Sequence, residues 1–297
     1  MIRIIDGIAY ESFSTEHFKL KASDCGNGHQ EITASRMVGW REMNLDRLAM
    51  ENLLETMQAR MDDPAEQAKR AENHIKRAAT RAKKRVRQLC KVMGVDTMLT
   101  LTYKFNQQDL DLCKKHVREF NRRVLRVLPD FAFVAAFEQQ KRGAWHVHMA
   151  TRRIPESIAD RNRQNAVRLK SYEVIRRIWR SVVGELGGNI DVARRKFHSR
   201  KSAAQIASYI AKYIIKGFAE GDKWSNRWTK YGEGSVPAPV ELGIYCGPIA
   251  AIEAAYALLP EGHRVAIGRL DRWRDWFVLH LEPDLPRFQP RLQCGGV

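Results

Sequence analysis

From about Leu45 to Met93, apolar residues recur every three to four positions and predict two helices. They meet at Asp62-Asp63-Pro64-Ala65-Glu66, where Asp63 suits an N-cap, Pro64 the first helical position and Glu66 the capping-box partner. The second helix gathers Ile75, Ala78, Ala82, Val86, Leu89 and Met93 on one stripe, while Lys76, Arg77, Arg81, Lys83, Lys84, Arg85 and Arg87 fill its other faces. Beyond Gly94 the period falls to two, and Thr97 to Tyr103 reads as a strand rich in Thr. Residues 108–128 return to helical spacing through Leu112, Val117, Phe120, Val124 and Leu128. Two strand-like runs follow, Phe131 to Glu138 and Ala144 to Thr151, and the segment Gln139 to Gly143 between them suits a hairpin turn. A helix over about 169–186 carries Tyr172, Ile175, Trp179, Val182, Val183 and Leu186; Gly187-Gly188 ends it, Asn189 to Ala193 reads as a strand, and 202–218 as a further helix. The order β-α-β-β-α-β-α predicts an α+β domain built on an antiparallel sheet.

The flanks are less regular. Residues 1–45 show short mixed runs with turn signals at Gly26, Asn27 and Gly28 and no sustained period, and the tail from about 240 predicts one helix near 249–259 and one strand near 275–282. The pattern therefore divides the chain into an N-terminal extension (1–93) with its basic amphipathic helix, a central domain (94–220) and a C-terminal extension (221–297).

Charge narrows the partner. Across 297 residues, 51 Lys and Arg outweigh 34 Asp and Glu, and the formal net charge of +17 favours a polyanion, nucleic acid first. The basic helix has two readings, a solvated helix lying on the core or a contact to the DNA backbone through Lys83, Lys84, Arg85 and Arg87. No apolar stretch is long enough to span a bilayer and the N-terminus lacks a signal pattern, so the expectation is a soluble, cytoplasmic protein with no membrane partner. The five cysteines are scattered with no C-x-x-C pair, which suits reduced thiols. No P-loop motif occurs with which to drive an ATP-dependent motor.

Two constellations carry candidate chemistry. His146-Val147-His148 lies on a predicted strand, so both imidazoles project from one face and can grip one cation between them. A hairpin turning around Lys141-Arg142 sets Glu138 opposite His146 on that same face. A carboxylate beside Phe133-Val134-Ala135-Ala136-Phe137 suits a metal ligand, although a strand-end Glu paired with Lys141 or Arg142 fits the same sequence. Two nitrogens and one carboxylate leave coordination positions open, which suits Mg²⁺ or Mn²⁺ sharing a phosphate oxygen and water rather than structural zinc. The second constellation is Tyr209-x-x-Lys212-Tyr213-x-x-Lys216. At 100° per residue these four fall on one side of a helix, and Ala203, Ala207, Ile210, Ala211, Ile214 and Phe218 fall on the other. Tyrosines on a cationic face are candidate nucleophiles whose phenolates the lysines stabilise; tyrosines at a core margin give the same pattern.

The strand Met98-Leu99-Thr100-Leu101-Thr102, the block Glu138…Arg142-Gly143…His146-Val147-His148 and the Tyr209 to Lys216 helix, in that order, resemble the HUH endonucleases, in particular the two-tyrosine replication initiators (Rep proteins) of single-stranded DNA phages and related rolling-circle replicons. The resemblance covers about 95–218. It implies an antiparallel sheet with flanking helices and RRM-like topology. It further implies a divalent metal on His146, His148 and Glu138, attack on DNA by Tyr209 and Tyr213, and assistance from Lys212 and Lys216. The implied activity is nicking and closing of single-stranded or supercoiled origin DNA through a 5′-phosphotyrosine, with a host helicase and DNA polymerase as partners in a bacterial cytoplasm. Two alternatives stand beside it, a two-tyrosine transposase of an insertion element and a DNA-binding replicon regulator that never cuts.

Overall fold

The structure is a computed structural model that describes residues 1–95, 97–159, 168–194, 207, 209–210 and 227–284. It is α+β and divides into two compact units. The larger comprises Met1–Phe13, Cys25–Asn27 and Trp40–Val236; the smaller comprises Ser14–Asp24, Gly28–Gly39 and the chain from Pro237.

The chain begins with β1 (Ile2–Ile5), β2 (Ile8–Asp24) and β3 (Gln30–Glu42), followed by the helices α1 (Arg47–Asp62) and α2 (Pro64–Val92). Asp63 caps α2 by accepting from the Ala65 amide, Pro64 opens it, and Glu66 pairs with Lys69 at 3.6 Å. The helix boundary thus falls where the sequence pattern sets it. α1 buries none of its residues, and α2 buries Ala79 and then Val86, Gln88, Leu89, Cys90 and Lys91, so packing concentrates in its C-terminal third.

Next come β4 (Thr97–Tyr103), α3 (Leu110–Val124), β5 (Phe133–Gln139), β6 (Trp145–Thr151), the short pair β7 (Ser157–Ala159) and β8 (Arg168–Lys170), α4 (Ser171–Val183), β9 (Gly188–Arg194) and β10 (Trp228–Tyr231). The antiparallel sheet of this unit runs β10-β5-β6-β4-β9. Without β10, this is the split β-α-β-β-α-β arrangement, in which the first and third strands of the motif pair at the centre. Both of its helices pack on one face: Val117, Phe120 and Val124 of α3 and Ile175, Trp179 and Val183 of α4 meet Leu99, Leu101, Phe133, Phe137, Val147 and Met149. Trp179 is the pivot. It is fully buried, sits edge-on to Phe120 and Tyr103 at 5.7 and 5.3 Å, and donates its indole N–H to the Thr102 carbonyl at 2.9 Å. Gly188 makes this approach possible, because a Cβ there would lie 2.5 Å from the indole nitrogen and 3.0 Å from the Thr102 oxygen.

The opposite face of the sheet is divided along the strand direction. At one end Val134, Ala136, Ala150 and Met98 pack with Val86, Leu89, Cys90 and Met93 of α2 and with Ala207 and Ile210. At the other end the same alternation presents Glu138, His146, His148 and Thr100.

The smaller unit contains β11 (Val240–Cys246), α5 (Pro248–Ala257), β12 (His263–Leu270) and β13 (Trp276–Pro283). Its sheet order is β2-β3-β13-β12, with β11 also on β2, and Ala251 and Ala255 of α5 cover Phe18, Leu20, Ile32, Phe277, Leu279 and Leu281. The sequence pattern shows no element before residue 45, yet two long strands stand there. Apolar contrast in β2 is confined to Phe18 and Leu20, and much of the rest is half-exposed, so the period-two signal is too short to read. In β3, Glu31 occupies a fully buried position against His280 at 3.1 Å, and an inward charge counts as outward in an alternation pattern.

The four cysteines among the described residues are unbridged, and burial pushes the thiols of Cys90 and Cys113 up to about 12. Reduced, inert thiols follow. No helix among the described residues is long and apolar enough to cross a membrane.

Replacing Trp179 with Ala should remove about 3–5 kcal/mol of stability, as for other large buried aromatics, and lower the urea midpoint accordingly. Retention of the wild-type midpoint would show that α3 and α4 are anchored elsewhere.

Candidate active site

The site is built on the β5–β6 hairpin. Its turn closes with Gln140 donating from its amide to the Ala144 carbonyl at 2.9 Å and Gly143 donating to Gln140 at 2.8 Å. Gly143 has φ of +88°, and a Cβ there would stand 2.9 Å from the Gln108 side chain, so the position requires glycine. The turn fixes the register, which pairs Glu138 with His146 and Ala136 with His148. Side chains of directly opposed residues share a face, and the imidazole rings of His146 and His148 stand 6.4 Å apart.

His148 is held at both nitrogens. Its Nδ1 meets Thr100 Oγ1 at 3.3 Å, and its Nε2 meets Glu138 Oε2 at 2.7 Å, with both side chains of that pair largely buried. His146 is held at one nitrogen only: Gln140 Nε2 lies 3.1 Å from Nδ1, while Nε2 is buried with no hydrogen-bond partner. Burial lowers the His146 pKa, the neighbouring His148 and Arg142 lower it further, and Glu138 opposes them. The ring is therefore biased to the neutral form, the form that ligates metals.

The donor chemistry fits a divalent cation, because a buried imidazole nitrogen without a partner stands beside a second imidazole and a carboxylate. The three groups do not yet surround a common point. Glu138 and His148 hydrogen-bond directly, and among the described residues no group of three His, Cys, Asp or Glu is arranged to hold a metal ion.

Ala207, Tyr209 and Ile210 are helical. Ala207 and Ile210 are buried on the same sheet face as the histidines, against the apolar patch that includes Ala136, and Tyr209 is 44 % exposed. Lys212, Tyr213 and Lys216 lie outside the described residues.

Three neighbours of the site carry no strong sequence signal. Gln140 and Thr100 orient the two rings, and Asp191 of β9 is register partner to Thr100, in the same cross-strand row as His148. Only the alternation of β4 could have drawn attention to Thr100; Gln140 depends on the fold of the turn.

The cationic surface of α2 also differs from its sequence reading. Lys83, Lys84 and Arg87 are half-buried, and Arg85 contacts the Val236 carbonyl at 3.5 Å. Opposite the buried stripe stand Arg70, Arg77 and Arg81, all exposed and within roughly 40° of one another around the helix. Asn73, Lys76, Arg77, Thr80 and Arg81 line a shallow surface groove there. Phosphate-facing charge thus lies nearer the N-terminal half of α2 than the run of four predicts.

Residues 96–218 match the family model of the ORF2 type of replication-associated protein. The matched stretch encloses the whole β4-to-β9 motif, the hairpin with Glu138, His146 and His148, and Tyr209. It supports a replication initiator. No curated protein and no solved structure matches the chain.

Proposed function

We propose that this replication initiator is a two-tyrosine HUH endonuclease that nicks and rejoins single-stranded origin DNA in rolling-circle replication. The observation that supports this most is one shared face: His146, His148 and Glu138 occupy its polar end, and Ala207 and Ile210 seat the Tyr209 helix on its apolar end.

In this reading His146, His148 and Glu138 hold Mg²⁺ or Mn²⁺, which when bound polarises the scissile phosphate. His146 contributes its unpartnered Nε2, and Glu138 exchanges its hydrogen bond to His148 for the cation. Gln140 and Thr100 keep the rings in the ligating tautomer by engaging each Nδ1. The phenol oxygen of Tyr209 or Tyr213 attacks phosphorus, and the bond from phosphorus to the 3′ oxygen breaks. A phosphotyrosine forms on the 5′ side, and the phenolic proton is balanced by the one gained on the departing 3′ hydroxyl. Lys212 and Lys216 stabilise the phenolate and the phosphate. Attack by a 3′ hydroxyl on the phosphotyrosine reverses the step and closes a circle. A host polymerase extends the 3′ end and a host helicase opens the duplex, since the chain has no P-loop.

Substituting His146, His148 or Glu138 with Ala should abolish nicking of a supercoiled origin plasmid while leaving non-covalent DNA binding nearly unchanged, and Gln140→Ala should slow nicking by about 10–100-fold. Undiminished cleavage in EDTA would rule the metal out.

Tyr209→Phe and Tyr213→Phe should each retain some initial nicking and fail at repeated rounds, and the double variant should retain none, because phenylalanine keeps the ring and loses the nucleophile. If either single variant releases circles as the wild type does, that residue serves packing and the enzyme works with one tyrosine.

Exchanging Arg70, Arg77 and Arg81 for Gln should flatten the slope of log K against log salt for duplex DNA by about 2.7, or roughly 0.9 per phosphate contact. A slope equal to that of the wild type would make this face of α2 a solvated surface only.

A further inference from the structure

Between α3 and the edge strand β10 the larger unit carries a groove that the proposed chemistry does not use. Lys114, Val117 and Arg118 stand at i, i+3 and i+4 on α3 and share one face. Phe137 of β5 and Trp228, Thr229 and Tyr231 of β10 complete the lining of a cavity of about 170 Å³. Val117 and Phe137 are each 1 % exposed and give it an apolar floor. Tyr231 rests against Phe133 with ring centroids 5.1 Å apart and a tilt of 34°. At the rim, Lys114 pairs with Asp111 at 3.3 Å, whereas exposed Arg118 has no carboxylate partner among the described residues and acts electrostatically on the Tyr231 hydroxyl. Around the same helix stand Lys115, Arg122, Arg123 and Arg126, of which Arg122 and Arg123 are engaged by Glu119.

An apolar floor, an aromatic ring and a cationic rim suit a nucleobase together with its phosphate. A free anion would have no use for the aromatic floor, and a peptide strand added to β10 would bind through main-chain groups without needing Lys114 and Arg118. The cavity has room for one planar ring and is far too small for a duplex. Its address matters as well. Trp228 is register partner to Ala136, which is register partner to His148, so the edge of the sheet lies two strand spacings, roughly 10 Å, from the His148 row. Because α3 packs on the face opposite the histidines, a strand leaving their side would reach the groove by turning over the β10 edge.

The geometry points to a subsite that holds one base of single-stranded DNA flanking the scissile phosphate, with Tyr231 as the stacking surface and Lys114 and Arg118 as phosphate contacts. Its position relative to the cut rests on the proposed nicking centre; its ligand chemistry does not. The subsite would give the enzyme a preference for the nucleotide at one position beside the cut.

The test uses the full chain and labelled oligothymidylate, some of it carrying iododeoxyuridine. The Lys114→Gln, Arg118→Gln double variant, altered only at helix-surface positions, should keep the wild-type thermal melt. It should flatten the slope of log K against log salt by about 1.4, or roughly 0.7 for each single-strand phosphate contact. Photolysis of the iodinated oligonucleotide with the wild-type chain should cross-link it to the peptide containing Tyr231, and His146→Ala should lose nicking while keeping that cross-link. Cross-linking in a chain that nicks nothing would leave the subsite standing and remove the nickase reading. An unchanged slope, or cross-links confined to other segments such as α2, overturns the subsite even if nicking is normal.

Discussion

The register of one hairpin governs the site. Glu138 faces His146, and Ala136 faces His148, only because the Gln140–Gly143 turn sets the pairing of β5 with β6. Side chains alternate with period two, so a slip of a single residue in β6 would send both histidines into the helix-covered core and bring Val147 to the open face. Such a slip would also expose Val147 and Met149, both fully buried, and would bury polar rings without partners. The apolar core beneath the sheet therefore enforces the chemistry above it.

The same alternation allows the two faces to serve different ends. With α3 and α4 both on one side, the other face needs covering only where it is apolar. The last third of α2 and the pair Ala207 and Ile210 supply that cover over Val134, Ala136 and Ala150, and they leave Glu138, His146, His148 and Thr100 free of a packed helix. A helix seated by Ala207 and Ile210 must hold residue 209 away from the sheet, since successive residues point about 100° apart. The exposure of Tyr209 follows from the burial of its neighbour Ile210.

The core of this fold was legible in the sequence because its elements are strongly amphipathic and capped. Asp63-Pro64 fixes a helix start, Thr97 to Tyr103 alternates without interruption, and Gly187-Gly188 stops a helix where φ turns positive. The chemistry-bearing types were legible for the same reason, since His-x-His on a strand and a carboxylate across a short turn are matters of spacing. What the sequence hides are contacts set by tertiary neighbours. Gln140 is an ordinary turn residue until the turn folds it onto His146. The strands β2 and β3 escape notice because their inward positions include Glu31 and their outward ones are only partly exposed. The charge run Lys83 to Arg87 looks like the most basic surface of α2, yet the helix turns much of it toward other groups, and the exposed arginines fall one to four turns earlier.

The distribution of cations supports a division of tasks in which affinity and positioning are separate. Phosphate contacts by themselves carry no sequence information, so an arginine row on α2 can add affinity for any duplex without choosing where to cut. Choosing a cut requires a group that senses a base at a fixed distance from the scissile phosphate, and such a group must be rigid relative to the histidines. α1 and most of α2 project with little burial, whereas α3 and β10 belong to the same tightly packed sheet as His146 and His148. Residues such as Tyr231, fixed through Phe133 to the core of that sheet, are held to the accuracy that discrimination between neighbouring phosphates demands. A helix that buries only its far end suits the weaker task of keeping DNA near.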